Sequence, residues 1–321
     1  MSRRLRAIEP GLGAVPPAAW VLLALLVLLA LVVPRFLTVG NLANVARVAA
    51  ILALAAYGQA VVVVSGGIDF SSGSSVALTS VVAVLALPHV GAPEALALGA
   101  AAALAVGALN GLLVGWLEMP PFLATLGMLI AGHGLASLLV GGIPLDAPAA
   151  PGFSWPAYGR VLGLPAPVAA GALGFAALSL LLRRTVLGRT WYLIGSSPRA
   201  AEAAGVDVRQ RLFMAYLIGG GFVGAAGVIL TSRVASGQPN LYPTLPFEAI
   251  AACAIGGLPL TGGAGSALHV LTGVLIVAVV QNAVVLLNVA SSVQLMLIGA
   301  LTVGAVVAQR IRWPARKGDG S

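Results

Sequence analysis

Charged residues are the scarcest class in this sequence. Asp, Glu, Lys and Arg together make up 8% of the 321 residues, whereas 60% are hydrophobic; a typical soluble domain is about 25% charged. This balance excludes an ordinary soluble fold. The apolar runs recur at lengths near the roughly 20 residues that cross a hydrocarbon core as a helix. Because open strands would leave backbone groups unpaired in lipid, the sequence predicts an all-α polytopic membrane bundle.

Lysine and cysteine are almost absent. The only lysine, Lys317, stands in the C-terminal tail, whereas a P-loop of the form Gly-x-x-x-x-Gly-Lys-Ser/Thr needs a lysine inside the loop. The chain therefore cannot bind ATP by that motif, and ATP-driven work would require a separate ATPase chain. The single cysteine, Cys253, lies in an apolar run. It excludes an intrachain disulfide and is expected to be a small buried side chain.

Catalytic and metal-binding signatures are missing as well. His89, His133 and His269 are scattered, without the His-Glu-x-x-His spacing of a zinc site and without a Gly-x-Ser-x-Gly nucleophile elbow. We therefore expect no enzymatic activity, no metal and no cofactor in the chain itself. Each lone histidine is expected to be packed and hydrogen-bonded.

The charges that are present mark the chain ends and one central segment. Basic residues precede the first apolar run and follow the last, at Arg3, Arg4, Arg6, Arg310, Arg312, Arg316 and Lys317. By the positive-inside rule, both termini are predicted to face the cytoplasm, so the number of crossings is even. Membrane orientation thus explains the net charge of +8 without a nucleic-acid partner. The first apolar run lacks a small-residue cleavage site, so we expect a retained span and not a secretory signal.

Hydropathy predicts about ten transmembrane segments in a single domain, residues 1–321. The segments are placed at 17–34, 42–64, 72–88, 94–117, 121–141, 164–182, 211–232, 246–258, 266–288 and 292–309. The eighth is shorter than a full crossing, so it is either a complete span or a broken or re-entrant one. The remaining parts are predicted as cytoplasmic tails at 1–16 and 310–321, an outer loop at 142–163 and a cytoplasmic coupling loop at 183–211.

Two glycine pairs, Gly66-Gly67 and Gly256-Gly257, interrupt apolar runs at corresponding positions 190 residues apart. Irregular backbone at membrane depth is tolerated only where it lines a cavity or packs on protein, so corresponding breaks in two halves indicate a transport path. The alternative is that each pair forms a turn between two spans, with Asp69 or Ser71 capping the next helix. Both interpretations are compatible with each other.

Small and hydroxyl-bearing residues near these breaks are candidates for contact with a transported solute. They suit a polar molecule that needs hydrogen bonds without strong retention. A helix-packing role is equally expected for Asn110, and the four-residue spacing of Gly107, Gly111 and Gly115 favours close helix packing. The candidate path residues are Gly66, Gly67, Asp69, Ser71, Asn110, Thr125, Gly256, Gly257 and Thr261.

A secondary transporter is the competing class, because intramembrane carboxylates can carry protons or bind sodium. Asp69, beside the first glycine pair, is its best candidate. Glu118 and Glu248 lie at expected span ends, where interfacial or helix-capping roles are favoured.

The segment 183–211, named the island here, holds eight of the 26 charged residues between two apolar runs. Ser197 is predicted to be the N-cap of a helix and Pro198 its first helical residue. Gly205 is predicted to end the helix in a left-handed conformation. The helix between them has about two turns, which is too short to be stable alone in water. The island is therefore predicted to be the segment that binds another protein.

Four blocks of sequence carry a family resemblance. They are VVVVSGGIDFSSGSSVAL, then MPPFLATLGMLIAGHGLASLLVGGIPL from Met119, GRTWYLIGSSPRAAEAAGVDV, and FEAIAACAIGGLPLTGGAGSALHVLTG from Phe247. Over roughly Val33 to Arg310 the chain resembles the permease subunit of ribose-type monosaccharide ABC importers. Phe70-Ser71-Ser72-Gly73, His133 and Asn282-Ala283 depart from the residues usual in that family.

The resemblance implies an importer of the bacterial inner membrane. Two permease chains, most simply two copies of this one, would form the channel. Cytoplasmic ATPase subunits would bind ATP and Mg²⁺, and an extracytoplasmic sugar-binding protein would deliver the solute. The short island helix would be the coupling helix that docks on the ATPase, through Ser197, Pro198, Arg199, Ala200, Ala201, Glu202, Ala203, Ala204 and Gly205.

Overall fold

The structure, a computed structural model, describes residues 16–312. The predicted tails, 1–16 and 310–321, lie almost wholly outside these residues. The described part is a bundle of helices with four two-residue strands. In chain order the elements are α1 Pro17–Val32, α2 Val39–Val64, α3 Ser72–Ala86, α4 Ala92–Gly115, α5 Pro121–Leu139, β1 Leu145–Asp146, α6 Trp155–Tyr158, β2 Arg160–Val161, β3 Leu164–Pro165, α7 Ala166–Arg184, α8 Val186–Ser196, α9 Pro198–Ala203, α10 Val208–Val234, β4 Ser236–Gly237, α11 Leu245–Gly256, α12 Ala267–Leu286 and α13 Ser291–Arg312.

Each predicted segment corresponds to one helix, and the ends agree to within three residues: the largest differences are 42 against Val39, 211 against Val208 and 309 against Arg312. Six helices are long and apolar enough to cross a membrane, namely α2, α4, α5, α7, α10 and α12. Three further apolar helices, α1, α3 and α11, are shorter. A helical membrane bundle is confirmed, while ten crossings stay a prediction.

Local sequence chemistry sets several helix ends. The side chains of Thr38, Thr185 and Asp207 accept backbone N–H groups at the starts of α2, α8 and α10, which pairs donors that a helix start leaves free. Proline occupies the first turn of α1, α4, α5, α7, α9 and α11, where its missing N–H removes no helical bond.

Glycines bring the backbones of α4 and α10 close together. A methyl group on Gly111 would lie 2.9 Å from the Cα atom of Phe213, and one on Gly115 would lie 2.7 Å from the carbonyl oxygen of Arg209. Gly107 meets Gly220 in the same way. The packing role predicted from the four-residue glycine spacing is therefore confirmed. Small residues let backbones approach where lipid provides no hydrophobic drive between helices.

Helix α2 is the centre of the bundle. It contacts α7, α10, α11 and α12. Of its most apolar stretch of 18 residues, 89% is buried inside the chain. Cys253 on α11 is fully buried against it, with Sγ 3.6 Å from the carbonyl oxygen of Ala56. The expected burial of the cysteine is confirmed.

One end of the bundle carries the predicted outer loop, 142–163, which is folded. β1 pairs with β4, and β2 pairs with β3. The hydroxyl of Ser232 donates to the carbonyl oxygen of Phe153, and that of Tyr158 donates to Arg233 at 3.1 Å. This segment is thereby attached to the end of α10. The island lies at the opposite end.

Candidate functional site

The chain is unwound between α2 and α3, at the first glycine pair. Gly66 has a φ of 90°, a conformation that favours glycine. Residues 66–70 then run back beside α2. With its amide oriented to satisfy both groups, Gln59 donates to the carbonyl oxygen of Asp69 at 2.8 Å and accepts from the Asp69 N–H at 3.2 Å. Thr125 donates to the carbonyl oxygen of Ile68 at 3.2 Å, which holds the segment against α5.

A second unwound segment, 235–244, enters from the opposite end. It follows α10 and runs along α3, where Ser80 Oγ both donates to the Gln238 carbonyl oxygen at 3.1 Å and accepts its N–H at 3.0 Å. The His133 ring nitrogen Nδ1 lies 2.8 Å from the carbonyl oxygen of Pro239. A methyl group on Gly73 would lie 3.4 Å from the Tyr242 carbonyl oxygen. The starts of α3 and α11 are therefore neighbours.

A buried polar cluster forms behind the first break. The Asp69 carboxylate oxygen Oδ1 accepts from the Ser71 backbone N–H at 2.7 Å and from its hydroxyl at 2.6 Å. Asn110 donates to Ser71 Oγ at 2.7 Å, and these three side chains are at most 5% exposed. Asp69 thus binds Ser71, the residue before α3, but no side chain there accepts an N–H group of the helix, so capping of α3 by Asp69 or Ser71 is not observed. Asn110 joins α4 to that same point.

Tyr216 and Gln59 belong to this region, and the sequence did not single out either of them. The Tyr216 hydroxyl is fully buried beside Gly67, 2.5 Å from where a methyl group there would lie. Within residues 16–312 neither this hydroxyl nor the Asn110 oxygen Oδ1 has a hydrogen-bond partner. Buried polar groups are nearly always paired, so both are available to water or to a solute.

Glu248 forms a second cluster at the first turn of α11. Its carboxylate accepts from the Tyr242 hydroxyl at 2.6 Å, from Thr244 at 2.8 Å and from the Gln281 amide at 2.7 Å. Its position at a helix start is confirmed, and the residue is only 3% exposed; the interfacial or capping role stays a prediction. Three neutral donors compensate for the loss of water around a buried charge. Glu118, in contrast, is exposed and paired with Arg209 at 2.8 Å.

The two breaks meet at the island end of the bundle. The Gly263 N–H donates to the Val64 carbonyl oxygen at 3.0 Å, and a methyl group on Gly262 would lie 2.8 Å from the Cα atom of Gly66. Gly66, Gly67 and Thr261 line one pocket of about 260 Å³ together with residues of the island. These predicted path residues are therefore brought together, close to Asp69 and Ser71.

Gly256 and Gly257 do not reach that pocket. Gly256 packs against the His269 carbonyl oxygen of α12, and Gly257, with a φ of 103°, ends α11. The two glycine pairs also differ in conformation, because Gly66 is left-handed in the first pair and Gly257 in the second. Both pairs do connect helices, as the turn alternative expected. The internal repeat itself stays a prediction.

The island is mostly helical, which corrects its description as a loop. Trp191 of α8 is fully buried and donates to the Arg211 carbonyl oxygen at 2.7 Å. Tyr192 donates to the Gly265 carbonyl oxygen at 2.7 Å. Burial raises the pKa of Tyr192 to about 12 although nearby Arg183 lowers it, so the hydroxyl remains a donor at neutral pH. The island is thereby fixed to the loop after the second glycine pair.

Helix α9 forms as predicted. The Ser197 side chain accepts from the Ala200 N–H at 3.3 Å, Pro198 is the first helical residue, and Gly205 has a φ of 77°. Ala201 is fully buried within the chain and anchors the helix, so it does not belong to an exposed surface. The outward-facing residues of the predicted docking set are Pro198, Arg199, Ala200, Glu202, Ala203, Ala204 and Gly205.

A bundle of apolar helices, with two unwound segments that enclose small polar groups, is an arrangement that suits a membrane permease. Residues 41–306 match the family described as the branched-chain amino acid transport system / permease component, and the chain belongs to this family. This confirms the permease class that the four sequence blocks indicated. No solved structure is significantly similar to the chain.

Several relatives match the chain over nearly its whole length. It is 36% identical to the ribose import permease protein RbsC of Bacillus subtilis strain 168, over 90% of each chain. It is 32% identical to the galactose/methyl galactoside import permease protein MglC of Escherichia coli K12, over 92% of this chain and 94% of the relative. It is 31% identical to the L-arabinose transport system permease protein AraH of the same strain, over 92% and 90%.

Proposed function

We propose that this chain is the membrane-spanning permease subunit of an ABC importer that carries a monosaccharide into the bacterial cytoplasm. The main support for the proposal is that the island packs against the first glycine pair and against the loop after the second glycine pair. Its capped helix α9 is exposed on one side, while Gly195 packs against Val64 and Gly263. A movement imposed on α9 by a docked ATPase would therefore reach the first glycine pair and the loop after the second one.

The polar groups on the proposed path favour a neutral, hydroxyl-rich solute. Ser71, Asn110, Thr125 and Tyr216 supply hydroxyl and amide groups, which can exchange hydrogen bonds with a sugar without the tight retention that ion pairs would cause. The relatives named for ribose, galactose and arabinose import agree with a sugar. The family description names branched-chain amino acids instead, so leucine is the competing solute to test.

The partners follow from the same proposal. ATP and Mg²⁺ bind in a separate cytoplasmic ATPase that docks on the exposed residues of α9. An extracytoplasmic sugar-binding protein delivers the solute at the end that carries residues 142–163, and a second permease chain, most simply a second copy, completes the channel. Both termini then lie in the cytoplasm.

A secondary transporter is the second candidate, and the burial of the Asp69 carboxylate favours it. A buried carboxylate inside an apolar bundle is the kind of group that can carry a proton. Against this role, Asp69 Oδ1 already accepts two hydrogen bonds from Ser71. Glu118 is too exposed to be an intramembrane carrier.

Uptake by cells that lack the gene tests the function. We expect deletion to abolish uptake of one labelled sugar from a panel of ribose, galactose and arabinose, and reintroduction of the gene to restore it. Depletion of ATP should stop this uptake, whereas collapse of the proton gradient at maintained ATP should not. Loss of leucine uptake alone, or uptake that depends on the proton gradient and not on ATP, would contradict the proposal.

A further inference from the structure

Three phenylalanine rings meet where the two unwound segments approach each other. The Phe70 ring lies edge-on to Phe122, with centroids 5.4 Å apart, and to Phe247, with centroids 5.8 Å apart. Phe70 belongs to the first unwound segment, Phe122 to α5 and Phe247 to α11. Edge-on aromatic pairs at such distances attract each other beyond simple burial. Here they join three elements that are distant in the sequence.

The level of these rings within the bundle follows from their neighbours. Ser74, at the start of α3, donates to the Met128 carbonyl oxygen at 3.2 Å, near the middle of α5. Phe122 is the second residue of α5, at the island end. The rings therefore extend from the island end toward the middle of the bundle. They lie beside the two unwound segments, 66–70 and 235–244.

The rings face outward from the single chain. Phe122 is 50% exposed and Phe247 53% exposed, while Phe70 is half-buried between them. Residues 66–70 beside them are not helical, and Gly66 among them is exposed. Irregular backbone at this depth fits a face that lines a water-filled passage better than one that faces lipid.

We propose that the solute path runs along this face and that Phe70, Phe122 and Phe247 form its hydrophobic barrier near the cytoplasmic end. The inference rests on the proposed import function and adds the position and the chemistry of the barrier. Closed rings exclude water and so block leakage, in the way that hydrophobic constrictions close other pores. Movement of the island would separate α11 from the first unwound segment and part the rings.

Cysteine labelling tests whether water reaches this face once one ring is replaced. Cys253 is fully buried, so a Cys253→Ala chain offers a clean background for Phe70→Cys and Phe247→Cys in native membranes. Leu173→Cys on α7 is the matched control, since Leu173 is 71% exposed on another side of the bundle. We expect a charged methanethiosulfonate to modify both new cysteines and to leave Leu173→Cys unmodified, although all three react after unfolding in SDS. Equal protection of Phe247→Cys and Leu173→Cys would overturn the proposal.

Leakage tests the barrier itself in proteoliposomes that contain the purified complex. Phe70→Ala removes both ring contacts and should raise the ATP-independent efflux of the carried sugar about tenfold, as the loss of aromatic pairs implies, while Phe70→Leu has a smaller effect. Unchanged efflux in a Phe70→Ala complex that still performs ATP-driven uptake would overturn the barrier. Failure of the wild-type complex to show ATP-driven uptake would instead contradict the import function. If Phe70→Ala does not fold, the labelling result alone decides.

Discussion

The Tyr192 hydroxyl donates a 2.7 Å hydrogen bond to the Gly265 carbonyl oxygen. Tyr192 stands on α8, in the island, and Gly265 stands in the loop that follows the second glycine pair. These residues are 73 positions apart in the sequence. The bond is therefore a direct connection between the proposed ATPase-docking segment and the proposed solute path.

Removal of this bond should weaken the coupling between ATP hydrolysis and sugar transport. Tyr192→Phe keeps the ring and deletes the donor, and a buried neutral hydrogen bond is worth about 1 kcal/mol, or about a fivefold change in an equilibrium. We expect sugar transport per ATP hydrolysed to fall several-fold while the complex still assembles. Tyr158→Phe, which removes a hydroxyl bond at the opposite end, is the control. An unchanged transport ratio in Tyr192→Phe would show that the bond is dispensable.

Alanine at Gly195 should force the island away from both breaks. Its methyl group would collide with the Val64 carbonyl oxygen and the Gly263 N–H, and overpacking of this kind costs about 1–3 kcal/mol. We expect a lower apparent Tm in detergent and a loss of uptake. Gly134→Ala has open space around it and should match the wild type. A Gly195→Ala protein with wild-type Tm would refute this packing.

Asp69→Asn separates the two candidate mechanisms. The amide oxygen of asparagine can still accept from the Ser71 N–H and hydroxyl, so a binding role at the start of α3 predicts a stability loss of only about 1 kcal/mol and continued uptake. A proton carrier would lose coupling completely. Uptake of labelled sugar and the amount of protein in the membrane are measured together. Abolished uptake at normal protein amount would favour the secondary transporter.

Glu248→Gln should destabilise the chain more strongly. The new amide would direct its own hydrogens at the donors Tyr242, Thr244 or Gln281, and hydrogen bonds to charged groups are worth about 1.5–3 kcal/mol. We expect a clear fall in apparent Tm. The exchange Glu248→Gln with Gln281→Glu returns one carboxylate to the cluster and should recover part of the loss. Wild-type stability in the single variant would show that the carboxylate is not needed.

The sequence predicts features that depend on neighbouring residues. Ser197, Pro198 and Gly205 determine the ends of α9, and their residue types are sufficient because capping is a local interaction. The close contact at Gly107, Gly111 and Gly115 could likewise be predicted from their spacing, since residues four apart share one helix face. Both features are present in the structure.

Contacts between distant residues could not be predicted in this way. Gln59 with Asp69, Glu248 with Gln281 and Tyr192 with Gly265 depend on how the helices pack. No periodicity in a single sequence specifies these pairs. The island also contains a second helix, α8, which its polar composition did not predict. Burial of Trp191 against the rest of the chain stabilises this helix.

Affinity purification of the tagged chain in mild detergent, with identification of retained proteins and an ATPase assay, tests the central claim most directly. The wild type should retain a P-loop ATPase. Gly205→Pro should lose it, because proline cannot adopt the φ of 77° at that position, whereas Gly163→Pro, which replaces another left-handed glycine far from the island, should keep it. A chain that purifies alone and transports solute on a proton or sodium gradient without ATP would contradict the account.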